Sequence, residues 1–103
     1  MSWVTNVLLN VGYADEDHLA EVNSFFEGLD ADGLVSITSA GLPLKWYGGD
    51  KTFEANIFVG AYNYLDIGAF VEHLQSISWR TPGAVQLLVK DQDELSFRSI
   101  TLE

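Results

Sequence analysis

The chain has 103 residues, 48% hydrophobic and 19% charged, with 15 Asp and Glu against 5 Lys and Arg, two His and no Cys. It is too apolar for disorder and long enough for one hydrophobic core, which predicts a single domain over 1–103. The formal charge of −10 argues against a general affinity for nucleic acid or anionic lipid, and the lack of cysteine excludes a disulfide framework, a thiol nucleophile and Cys-ligated metal sites.

The elements follow from the period of the apolar residues. Residues 3–11 alternate, with Trp3, Val7, Leu9 and Val11 on one face of a strand that Gly12 ends. Asp15 is placed to cap a helix over 15–29, Glu16 and Asp17 suit the positive end of its dipole, and Leu19, Val22, Phe26 and Leu29 form its apolar stripe. A turn at 30–33 leads to a strand at 34–39, where Val35 and Ile37 oppose Ser36 and Thr38. Gly41 and Pro43 interrupt it, Leu44 to Tyr47 extends the hairpin, and Gly48-Gly49-Asp50-Lys51 reads as a tight turn. The return strand, 52–62, sets Phe53, Ala55, Ile57, Val59 and Ala61 against Glu54, Asn56, Phe58, Gly60 and Tyr62. Asp66 caps a second helix with the stripe Ile67, Phe70, Leu74, Ile77. Pro82-Gly83 breaks the chain, and Val85–Val89 and Leu95–Leu102 read as a hairpin turning through Asp91-Gln92-Asp93-Glu94. The order β-α-β-β-α-β plus one strand predicts an α+β, ferredoxin-like fold: an antiparallel sheet, two helices on one face, and an additional C-terminal edge strand.

The face away from the helices is expected to carry Phe58, Tyr62 and the polar side of the first strand, and so to pair with another copy, meet a partner or lie under the 40–51 loop. Charge is uneven along the chain. All five cations, Lys45, Lys51, Arg80, Lys90 and Arg98, lie after residue 44, so Asp15, Glu16, Asp17 and Glu21 have no cation near them in sequence. Carboxylates of this kind steer a basic partner toward them. Aromatic residues around loops and element ends, above all Trp46, Tyr47 and Tyr64, are candidate interface anchors because they join large apolar area to a polar handle.

No set of residues specifies a reaction. His18 and His73 lack the i,i+4 or HExxH spacing of a metal site, no serine occupies a GxSxG elbow, and Gly48-Gly49-Asp50-Lys51-Thr52 lacks the glycine spacing of a phosphate loop and leads into a strand. No catalytic residue, cofactor or metal is therefore expected. No apolar run approaches the roughly 20 residues of a membrane span, and no basic segment followed by an apolar stretch opens the chain, so a cytoplasmic location is expected.

Gly60-Ala61-Tyr62-Asn63-Tyr64-Leu65-Asp66, Phe70-Val71-Glu72-His73-Leu74, Trp79, Pro82 and Val85–Gln92 together resemble small bacterial immunity proteins of polymorphic toxin systems. The resemblance covers about the last 45 residues and implies a cognate toxin bound and blocked in the cytoplasm. It carries over no functional residue. The expected function is thus a protein-binding inhibitor of a basic toxin or enzyme, with no direct nucleic-acid or membrane partner. A phage-type inhibitor mimicking nucleic-acid charge is a close variant. The alternative is a small dimeric ferredoxin-like ligand-binding domain or enzyme, whose pocket would gather Asn56, Asn63, His73 and Tyr62.

Overall fold

Strict alternation makes Val4–Val11 a strand, β1, in the computed structural model, which describes residues 2–37 and 56–102. Thr5, Val7, Leu9 and Val11 are buried along it. Trp3 lies outside the strand, and Thr5 takes the inward position instead, donating its hydroxyl to Asp91 Oδ1 at 2.6 Å. That bond offsets the cost of burying the hydroxyl.

The expected first helix begins as a 3-10 turn, Tyr13–His18, and continues as α1, Leu19–Glu27. Val22 and Phe26 are buried and Leu19 packs against them, but Leu29 falls beyond the helix and is exposed. Asp15 does not cap this helix. Its side chain is fully buried and accepts hydrogen bonds from Arg80 N at 2.8 Å and Thr81 N at 2.9 Å. Two charge-assisted bonds inside the protein outweigh one capping bond at its surface. Asp66 does act as a cap, accepting from Ala69 N at 3.0 Å at the start of α2, Ile67–Ser76.

The remaining strands are β2 (Val35–Ser36), β3 (Asn56–Asn63), β4 (Gln86–Asp91) and β5 (Arg98–Ile100), with a 3-10 turn at Pro82–Ala84. They form one sheet in the order β2-β3-β1-β4-β5, antiparallel throughout. The fold is α+β and ferredoxin-like, with both helices on one face and β5 added at the edge beside β4. The expected segment at 44–47, the turn at 48–51 and the first part of the 52–62 strand lie outside the described residues.

Register decides which side of each strand meets the helices. Leu9 stands beside Phe58 on one side and Leu87 on the other, all buried. Phe58 and Tyr62 therefore face the helices, which corrects the expectation that they lie on the uncovered face. Phe26 stacks on Tyr62 with ring centroids 4.1 Å apart and planes within 7°, and Phe70 lies 5.1 Å from Phe26. Either side of β3 is apolar enough to be buried. The larger aromatic area of Phe58 and Tyr62 settles the choice, because it has Phe26 and Phe70 to pack on.

Gly60 makes this stack fit: a Cβ there would lie 2.7 Å from Tyr62 Oη and 2.9 Å from Leu34 Cδ2. In β2, Val35 pairs with Val59 and points outward, while Leu34 is buried. The Asn23 amide fixes that phase from α1, with Oδ1 accepting from Leu34 N at 2.8 Å and Nδ2 donating to Leu34 O at 3.1 Å.

Candidate functional site

The acidic residues singled out in the first helix meet different fates. Arg80 reaches across from the loop after α2 and donates to both Asp17 oxygens, at 2.7 and 3.1 Å, and to Ala14 O at 2.9 Å. The guanidinium holds the Asp17 carboxyl below its ordinary value, first through the hydrogen bond and then through its charge. Glu21 lies 2.7 Å from His18 Nδ1, and the other edge of that ring is 3.5 Å from Asp15 Oδ1. Asp15 is closed off from any partner, and Asp17 and Glu21 have partners inside the chain. Glu16, Glu27, Asp30, Asp32 and Glu72 remain exposed around the helix layer.

Both histidines join elements to one another. His18 packs edge-on against Trp79 at 5.5 Å, and His73 donates from Nε2 to Glu21 O at 2.6 Å, tying α2 to α1. Among the described residues, no three His, Asp or Glu side chains stand close enough to hold a metal ion. The expected pocket of Asn56, Asn63, His73 and Tyr62 does not assemble. Asn56 and Asn63 lie at opposite ends of β3, where Asn56 donates to Gly12 O and Asn63 accepts from Trp3 N. The Tyr62 hydroxyl is buried with no hydrogen-bond partner among the described residues, and burial pushes its pKa up to about 12.

Tyr64 is exposed in the turn after β3, with φ +56° and its N–H donated to Trp3 O at 2.8 Å. It lies where β1 begins, whereas Asp15–Glu21 follow the end of β1, so roughly 26 Å of strand separates it from the acids. Trp46 and Tyr47 lie outside the described residues. The structure therefore does not bring Tyr64 and the acids together as one patch.

The sequence reading anticipated a sheet face away from the helices but assigned it the wrong residues; among the described residues, none packs over that face. Register puts Val35, Val59, Leu8, Leu88 and Ser99 in one row across all five strands. Ile57, Asn10 and Gln86 flank the row on one side, and Ala61, Asn6 and Lys90 on the other. None of these outward positions is Asp or Glu, in a chain of net charge −10. The side-chain amides on this face are held locally, Asn6 Nδ2 donating to Lys90 O and Asn10 Nδ2 to Gln86 Oε1 and Ala84 O. This face can give apolar contact without meeting like charge.

Protein-family models, curated proteins and solved structures yield no match to this chain. A cavity of about 300 Å³ lies at the end of α2, walled by Leu74, Ile77, Trp79, Pro82, Val85 and Leu102, with Gln75 donating to Leu102 O. Among the described residues that line it, none is charged. Among the described residues, no helix is long and apolar enough to cross a membrane.

Proposed function

We propose that this chain is a small ferredoxin-like binding domain whose contact surface is the face of its sheet away from the helices. The observation that carries this reading is the row Val35, Val59, Leu8 and Leu88, apolar and free of carboxylates. Val35 is exposed and Val59, Leu8 and Leu88 are half-buried; a contiguous, partly exposed apolar patch of this kind marks interaction surfaces, and the distribution of charge leaves this face suited to hydrophobic contact. Covalent footprinting of the chain in extract of its native host tests the reading. Leu8, Val59 and Leu88, half-buried in the chain by itself, should label far less in the extract than in the dilute purified chain, with the exposed Leu29 and Leu95 as the reference. Full labelling of the sheet face in the extract would overturn it.

A second reading rests on the exposed carboxylates of the helix layer, namely Glu16, Glu21, Glu27, Asp30, Asp32 and Glu72. These would steer a basic protein, and the chain would then act as a cytoplasmic inhibitor of the immunity-protein kind. Replacing Glu16 and Glu27 with Lys should slow association with such a partner and flatten its salt dependence. Unchanged kinetics would remove the helix layer from the contact.

A further inference from the structure

We propose that the sheet face away from the helices seats a second copy of this chain, related by a two-fold axis that passes close to Leu8. The proposal rests on the binding-domain reading above and names the occupant of that face. Leu8 lies midway along β1, the middle strand of the five, and has Val59 on one side and Leu88 on the other. An axis there places each copy's row against the same row of the other, as an isologous contact requires.

Charge selects this partner. Two chains of net charge −10 repel wherever their helix layers meet, because Glu16, Glu27, Asp30, Asp32 and Glu72 are exposed there. The outward sheet positions carry no carboxylate and one cation, Lys90. Two sheets stacked face to face lie about 10 Å apart, with both helix layers on the outside. The acidic surfaces are then separated by well over the ~8 Å Debye length at physiological salt, so their repulsion is largely screened. A basic partner would gain nothing from this face, since no acid on it awaits a cation.

Size sets the strength of the contact. With strands of 8, 2, 8, 6 and 3 residues, about 3.3 Å per residue and about 4.8 Å between strands, the face presents on the order of 430 Å² per copy. The pair buries on the order of 850 Å² in total, under the roughly 1,000 Å² of a stable specific interface, so the contact is weak and reversible.

Sedimentation velocity of the purified full chain from about 1 to 500 µM, a span that reaches weak association, tests this. The chain should pass from monomer to dimer, and the dimer should tighten as salt rises from about 10 mM, where the Debye length is about 30 Å, toward physiological strength, because like charges are being screened. Leu8→Glu would set two carboxylates against each other at the axis and should weaken the dimer on the order of a hundredfold or more. Leu88→Glu supplies the same test should Leu8→Glu not fold. Glu27→Gln, on the helix layer, should leave the dimer unchanged within about twofold.

A dimer insensitive to both sheet-face variants, or one weakened by salt, would overturn the proposal. So would a monomer at every concentration. In that last case footprinting separates the causes. A face protected in host extract but open in the pure chain belongs to a different protein, and the binding-domain reading survives. A face open in both removes that reading as well, and a face protected in the pure monomer is covered by the chain itself, which also removes both.

Discussion

Replacing Asp15 with Ala should be among the most destabilising single changes in this protein. The carboxylate is fully buried and accepts from two backbone amides, Arg80 N at 2.8 Å and Thr81 N at 2.9 Å, in the loop that leads from α2 toward β4. Alanine leaves both donors without an acceptor, and each unsatisfied buried donor costs about 1–3 kcal/mol. The expected loss is about 4 kcal/mol, a large share of the roughly 5–15 kcal/mol that stabilises a domain. Urea unfolding followed by circular dichroism at neutral pH measures it directly. With a slope of about 1.5–2 kcal/mol per molar, the midpoint should fall by about 2 M. Asp15→Asn keeps one carbonyl oxygen but turns an amide N–H toward a donor, so it should lose about half as much. Glu16→Ala, one residue on and exposed, should stay within about 0.5 kcal/mol of the parent. A loss below about 1 kcal/mol for Asp15→Ala would refute the reasoning, because it would mean that the two amides do not depend on this carboxylate.

The Tyr62 phenol titrates at about 12 in the folded chain against 10.0 ordinarily, through burial first and the charge of Asp32 second. The folded chain thus keeps a proton that the unfolded chain releases, so this group's contribution is complete below pH 10 and is lost as the pH rises toward 12. Tyr62→Phe should match or exceed the parent in stability at pH 8 and gain on it further at pH 11; parallel stability curves across that range would show the phenol to be uninvolved. Gly60→Ala places a Cβ against the Tyr62 ring and Leu34 and should cost about 1–3 kcal/mol, with a loss of near-ultraviolet aromatic signal; a neutral effect on melting would count against the tight stack. Asn23→Ala removes both bonds to Leu34 and should cost about 2 kcal/mol, with faster hydrogen exchange at the Leu34 amide; unchanged exchange would show that β2 is held by other contacts.

Much of the fold was legible because apolar spacing reports directly on which residues can share a buried face. Val7, Leu9 and Val11 alternate, and Phe70, Leu74 and Ile77 repeat at helical spacing; all are buried as the sequence indicates. The Asp66 cap was legible for the same local reason, since a carboxylate three residues before Ala69 N needs no distant partner. Asp15 looked identical in sequence. Its partners are the amides of residues 80 and 81, some 65 positions away, and no local pattern encodes them.

The candidate surfaces divide in the same way. Acidity in the first half of the chain is a property of composition, and the His18–Glu21 contact is local at i,i+3, but Arg80 engages Asp17 only once residues 13–18 and the loop after α2 are packed together. The carboxylate-free face exists only as a register: Leu8, Val59, Leu88 and Val35 come from four strands and have no common signature in the sequence. The sequence by itself determined the element order, the α+β class and the net negative charge, because these depend on periodicity and composition along the chain. Which side of β3 is buried, which acids remain available and what the open face of the sheet presents were decided by tertiary structure alone, because each depends on groups far apart in the chain meeting at a few ångströms.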